Sequence, residues 1–343
     1  MLFYDLKKKM HYSLLFTKRD LVHVNLQLLY NCNFRCSICD FWGEEYANKP
    51  QLSIEQIRII SKQLKKIGPQ VISIGGGEPL LHKDIIPITR ELAQNNFVVM
   101  ICNGWYITPE IARELFKAGM YEISISLDYA DAERHDTQRG MTGAFETAVE
   151  ALKELNENRV YSHQRVHMIS VLMDDNLDEI EQLILLSRDL GITYLLTLYS
   201  DNRGKKVSRY PEKDASAILL SLKKKYPEFV VLRGYISRFT EAIREGGISP
   251  CYGGKNLMNI DSQGNVSFCI DLLDDSAGNI LTDDMKMIRK RLRQQSKANT
   301  CKGCWTSCRG SIESLMYGKN KIHNLVDYYM MTKNIPIAGK KTT

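Results

Sequence analysis

The chain lacks any run of eighteen consecutive apolar residues, and Lys7, Lys8 and Lys9 break up Met1–Phe16. A membrane span and a secretory signal are thereby excluded, and the expectation is a cytoplasmic protein. Internal repeats and low-complexity segments are also missing, which removes solenoids and disordered chains. Charge of one sign does not dominate: the net +6 is modest, and Lys and Arg are scattered apart from short clusters at 7–9, 223–225 and 340–341. Solvated faces account for such clusters, so no nucleic-acid partner is expected, while an anionic substrate stays open. At 343 residues, 44% of them apolar, the chain has ample core for one large α/β domain and a smaller one. Any cofactor is therefore there for function and not to hold up an undersized fold.

What the chain does have is cysteine. Nine thiols in a reducing compartment argue for metal or redox chemistry over a disulfide framework. Eight fall into two groups, Cys32, Cys36 and Cys39 near the start, then Cys251, Cys269, Cys301, Cys304 and Cys308, while Cys102 stands alone.

Apolar, β-branched segments at 21–29, 71–74, 97–102, 122–127, 166–173 and 194–199 alternate with helical patterns. Ser53 and Gln56 form a capping box before one helix, whose stop suits Gly68. Thr108-Pro109 opens a second, and Asn176 is placed to cap a third. Right-handed βαβ crossovers follow from that order. Six units fall short of a closed eight-stranded barrel, so the expected fold is α/β, a partial (βα)6 barrel open on one side, with functional loops after the strands. In the first strand Val22, Val24, Leu26 and Leu28 share one face, and His23, Asn25 and Gln27 the other. A polar inner cavity or the wet face of an edge strand reads this way. Beyond Tyr199 the polar stretch 200–214 reads as a loop or lid. A helix near 215–226, a short strand at 229–235, another helix and a hairpin at 256–270 follow.

The spacing C-x3-C-x2-C at Cys32, Cys36 and Cys39 follows the first strand. Structural zinc sites use four ligands, so three local cysteines leave one missing. A cubane 4Fe-4S cluster needs one external ligand per iron, and three thiolates leave one iron open to a substrate. This motif resembles the signature of the radical S-adenosylmethionine (radical SAM) superfamily. The resemblance implies that the open iron chelates the methionine end of SAM, whose reductive cleavage yields a 5′-deoxyadenosyl radical.

Further elements follow in the order such a barrel requires. "GGGEP" (75–79) is similar to the family's GGE motif, which implies that Gly76, Gly77 and Glu78 hold the SAM amino group. "CNG" (102–104) stands where relatives show T-N-G, making Asn103 a polar contact and leaving Cys102 a buried small hydrophobe. "SLDYADAERHDTQRG" (126–140) resembles the S-L-D...H-D-x-x-R-G stretch of the subfamily with the molybdenum-cofactor cyclase and sulfatase-maturing enzymes. It implies that Ser126 and Arg139 reach the SAM carboxylate and Asp128 a ribose. Relatives carry an aromatic residue before the third cysteine, where this chain has Ile38; Phe41 or Trp42 are the alternatives for stacking on adenine.

The second cysteine group, with Gly264 five residues before Cys269, resembles the twitch domain, the short form of the SPASM extension. The resemblance implies one auxiliary 4Fe-4S cluster on Cys251, Cys269, Cys301 and Cys304, with Cys308 as a substitute ligand or bystander. A zinc site stays open as the alternative. The division expected is an N-terminal extension at 1–20, the barrel at 21–235, a hairpin-plus-helix iron-sulfur domain at 236–320 and a tail at 321–343.

Function follows as an expectation: hydrogen abstraction from an unactivated carbon, with SAM as cofactor and a low-potential donor such as ferredoxin or flavodoxin. Peptide-modifying relatives commonly carry an N-terminal leader-binding domain, and the motif at residue 32 leaves no room for one. The expectation therefore leans to a small molecule, with a peptidyl substrate as the alternative. Tyr199, Asp201 and Arg203, where the sixth strand meets the polar loop, are candidate substrate contacts. A non-catalytic electron carrier or zinc-stabilised binding protein is the competing class.

Overall fold

The computed structural model of the chain describes residues 2–201, 209–273, 275–319 and 321–332. Six strands form where the apolar segments place them: β1 His23–Leu29, β2 Val71–Gly76, β3 Phe97–Cys102, β4 Met120–Ser126, β5 Arg165–Leu172 and β6 Thr193–Leu198. Each pairs in parallel with its sequence neighbour, and the sheet does not close, which makes it a partial TIM-like barrel. Outward residues such as Val24, Leu26, Ile72, Ile74, Val98 and Ile123 form one core with the crossover helices. Helix Ile54–Lys65 shows why the local signals succeed. Ser53 and Gln56 complete their reciprocal cap at 3.2 and 2.8 Å, and Ile57, Ile60 and Leu64 are buried on its inner face. Helix Pro109–Ala118 starts on the Thr108 cap and stops at Gly119, whose φ of 105° suits glycine.

β1 is not an edge strand. β2 lies on one side and β7, Leu257–Ile260, pairs in parallel on the other, so His23, Asn25 and Gln27 face an inner cavity. The expected hairpin is β7 with β8, Asn265–Ser267, and Asp261 Oδ1 accepts from the N–H groups of Gln263 and Asn265 in its turn. It continues the barrel sheet and gains a third strand, β9 Ser276–Asn279, whose small residues carry no strand signal.

Three further differences have physical causes. The strand expected at 229–235 reduces to one bridge, Phe229 to Tyr194, followed by a short helix, Arg233–Ile236. Its apolar run is buried core, which a short run does not distinguish from strand. Asn176 caps nothing: its Nδ2 donates to the Asp128 and Val171 carbonyls at 3.0 and 2.8 Å, and its Oδ1 accepts from Met173 N–H. Leu2–Thr17 forms a helix within the N-terminal extension, and Leu15 packs against Val22, Leu257, Ile312 and Met316. Among the described residues no helix is long and apolar enough to cross a membrane.

The two polar roles separate on mutation. Asn176→Ala strands three buried backbone groups and is expected to cost about 2–4 kcal/mol in urea unfolding. Ser53→Ala, at an accessible cap, is expected to cost about 1 kcal/mol.

Candidate active site

The loop after β1 carries the first three cysteines and is stitched to three other loops. Gly77 and Glu78 N–H donate to the Leu29 and Asn31 carbonyls at 2.8 and 2.9 Å. Arg35 and Ser37 N–H donate to the Arg139 and Gln138 carbonyls at 3.2 and 2.8 Å, and Asn103 Nδ2 donates to Asn33 Oδ1 at 2.8 Å. Cys32, Cys36 and Cys39 consequently share one cluster with Phe34, Ile38 and Trp105, and all three line a cavity of about 720 Å³. Burial pushes the Cys32 thiol up to about 12, so any metal taken there must displace a proton.

The glycine run divides its labour. A Cβ on Gly76 or Gly77 would collide with the Leu29 or Asn31 carbonyl oxygen, so these two are small for the sake of the cysteine loop. A Cβ on Gly75 would meet nothing within 4 Å, and Gly75 borders the cavity. Glu78 also borders it, although both carboxylate oxygens are engaged, Oε1 by Leu80 N–H at 2.9 Å and Oε2 by Asn103 N–H at 2.8 Å. Burial outweighs those two bonds and raises Glu78 to about 7.

Ser126, Asn103 and Arg139 line the same cavity; Asp128 does not. It is fully buried behind Arg139, its Oδ2 2.6 Å from the guanidinium and its Oδ1 accepting from Val171 N–H at 2.8 Å. Its carboxylate holds Arg139, which corrects the expected ribose contact. Burial alone would lower Arg139; Asp128, Cys36 and Cys39 outweigh it and raise it, keeping a fixed cation beside the thiols. Ile38, Phe41 and Trp42 all reach the cavity wall, as does Tyr199. Asp201 does not, instead lying 3.5 Å from Tyr210 Oη, and Arg203 is outside the described residues. Cys102 is the buried hydrophobe expected.

The second group also gathers. Burial is the main cause that raises Cys251, Cys269 and Cys304, the last to about 12, and neighbouring thiols add to it: Cys301 on Cys251, Cys304 and Cys308 on Cys269, Cys308 and Cys251 on Cys304. Cys308 differs from the other four in lining the main cavity. The sequence reading passed over Arg309, buried against this group. Its guanidinium donates to the Cys304, Ile248 and Pro250 carbonyls and pairs with Glu313 at 3.0 Å. A buried i,i+4 ion pair directly after Cys308 was the available signal. Among the described residues no three His, Cys, Asp or Glu side chains converge on one point as a mononuclear ion requires. A cubane, with its irons at separate corners, makes no such demand, and the soft all-thiol donor set suits it.

Outside this site, Lys66, Lys286, Arg289, Lys290, Arg293 and Lys297 line a groove of about 530 Å³. Asp20 and Asp284 neutralise part of it.

Two outcomes test this geometry. Gly77→Ala is expected to lose about 3 kcal/mol or more in thermal or urea unfolding, whereas Gly75→Ala stays within about 1 kcal/mol. Because Glu78 sits at about 7 when folded against its ordinary 4.5, the unfolded chain ionises first as pH rises. The ligand-free protein should therefore lose stability between pH 4.5 and pH 7, by roughly 3 kcal/mol at most, and Glu78→Gln should flatten that slope in pH-dependent urea titrations.

Comparison with known proteins follows the same lines. Residues 26–186 match the Radical SAM superfamily. Mycofactocin maturase MftC of Mycolicibacterium smegmatis is 27% identical over 309 residues, 83% of this chain and 76% of the relative. A probable GTP 3′,8-cyclase of Saccharolobus solfataricus is 29% identical over 268 residues, 74% of this chain and 83% of the relative. The structure of Streptococcus suis SuiB bound to precursor peptide SuiA shares the fold with a TM-score of 0.62 at 17% identity, covering 82% of this chain and 68% of SuiB. Members of this superfamily are enzymes that bind a 4Fe-4S cluster and SAM. Residues 26–186 thus carry a radical SAM domain, matched by sequence and set in the fold that radical SAM enzymes share.

Proposed function

We propose that this enzyme cleaves SAM reductively and abstracts a hydrogen atom from an unactivated carbon of a small-molecule or peptidyl substrate in the barrel cavity. One observation carries the reading. Cys32, Cys36, Cys39, Gly76, Gly77, Glu78, Asn103, Ser126 and Arg139 come from four strand ends yet line one cavity. The three thiolates would hold the cubane, with one iron left for the methionine end of SAM. Arg139 and Ser126 would meet the SAM carboxylate, and Glu78 with the Gly76-Gly77 backbone its amino group. When bound, the cluster and SAM supply a 5′-deoxyadenosyl radical, formed as one electron breaks the sulfur–carbon bond and methionine leaves. The chain contributes position and water exclusion: Asp128 fixes Arg139, and Phe34, Ile38, Phe41 and Trp42 give the cavity apolar walls beside the thiols.

The second group would hold one auxiliary 4Fe-4S cluster in a twitch-like unit, on four of Cys251, Cys269, Cys301, Cys304 and Cys308, and that cluster would accept the electron of the substrate radical. The neighbourhood of these thiols and the cavity-facing Cys308 support it. A low-potential carrier such as ferredoxin or flavodoxin would deliver the priming electron, and the basic groove supports an acidic protein in that role.

Anaerobically reconstituted protein is expected to bind about eight irons per chain and to form 5′-deoxyadenosine from SAM with dithionite. Cys36→Ala should abolish that product. Cys304→Ala should keep SAM cleavage while lowering iron to about four per chain. Colourless protein that binds zinc and leaves SAM intact would reject the proposal.

A further inference from the structure

β1 carries two polar side chains that neither the fold nor the proposed cofactors account for. Asn25 and Gln27 are 5% and 2% exposed and line the main cavity. With its proton on Nε2, His23 donates to Asn25 Oδ1 at 3.1 Å, which leaves Asn25 Nδ2 as the free end. Among the described residues, Asn25 Nδ2 and Gln27 Oε1 have no hydrogen-bond partner. Buried polar atoms without partners are rare and call for an explanation. Here they make a donor and an acceptor two residues apart on one strand face, about 7 Å along the strand.

Asn25 lies level with Ser73 on β2 and with Asn259 on β7, and Gln27 level with Gly75, where a Cβ would meet nothing within 4 Å. Gln27 is also five residues from Cys32, on the strand that leads into the cysteine loop. Among polar wall residues such as Ser73, Glu122, Ser124 and Thr197, the cavity also has an aliphatic component: Val99, Ile101, Ile169 and Leu195 border it, and Ile101 is 40% exposed. A carboxylate or phosphate would set anionic oxygen against Gln27 Oε1, and a hydrocarbon would leave both polar atoms unpaired. An amide carries both a carbonyl and an N–H, which in the trans form point to opposite sides, and so can reach both separated atoms.

We propose that Asn25 and Gln27 form a substrate-recognition pair for an amide group, Asn25 Nδ2 donating to its carbonyl oxygen and Gln27 Oε1 accepting from its N–H. The aliphatic wall takes the side chain next to that amide. This deepens the radical SAM reading and rests on it, because that reading makes the cavity beside the three cysteines the substrate site. A peptide main chain and a small carboxamide share the chemistry.

The test uses reconstituted holoenzyme of the wild type and of the near-isosteric variants Asn25→Leu and Gln27→Met. Deoxyadenosine formation from SAM and dithionite, without other substrate, is expected to be the same in all three. Its absence from the wild type would reject the radical SAM reading while leaving the binding comparison to decide the pair. Binding is read by saturation-transfer NMR with N-methylisovaleramide, which carries a single amide, and methyl isovalerate, which carries none. The amide is expected to bind the wild type at least about tenfold tighter than the ester, and each variant should lose that preference. Equal binding of amide and ester by the wild type overturns the proposal, even if neither variant folds. So does a preference that survives in both variants. N-acetyl-leucine N-methylamide separates the sources: binding no tighter than that of N-methylisovaleramide supports a small carboxamide, and tighter binding supports a peptide.

Discussion

The arrangement depends on a set of backbone hydrogen bonds that fasten one loop to three others. Residues 31–39 have no regular structure of their own apart from turns, and three thiols on such a segment would ordinarily wander. Bonds from Gly77, Glu78, Arg35 and Ser37, with the Asn103–Asn33 pair, remove that freedom. Because the donors and acceptors are mostly main-chain atoms, the fastening tolerates changes of side chain except where a Cβ has no room, at Gly76 and Gly77. Rigid strands set the positions of all the participating loop ends, and this is how a barrel offers a precise site on irregular backbone.

Legibility in the sequence follows the range of the interaction concerned. The six barrel strands and the Ser53 and Thr108 caps were readable because their signals lie within a few residues, in alternation, β-branching and reciprocal capping. The cysteine loop and its companion motifs stand out by spacing alone, and the fold brings them to one cavity. Asp128 was misread because its partner Arg139 is a turn and a helix away, and spacing alone does not tell a ligand contact from a contact to a ligand's contact. Asn176 looked like a cap by position, yet two buried carbonyls and a buried amide competed for it more strongly than the helix end. β9 and the loop at 229–232 were invisible because tertiary burial, not local preference, decides them.

The second cysteine group shows a different economy. Arg309 is buried with four polar partners, and its cation lies among thiols that burial keeps protonated. Thiolates formed on metal binding would find a positive charge already desolvated and oriented, which favours the anionic state without further rearrangement. Cys308 reaches the main cavity from the same short segment. One helix start thus links the buried thiols to the barrel interior.

The parallel pairing of β1 with β7 makes the two cysteine-bearing regions parts of one pleated surface, with no linker at which they could swing apart. Electron tunnelling weakens steeply with separation, so clusters held by both groups would keep one electronic coupling across a gap set by a hydrogen-bonded ladder. Timing would then come from the arrival of ligands, since the β1–β7 junction offers no hinge with which to set it.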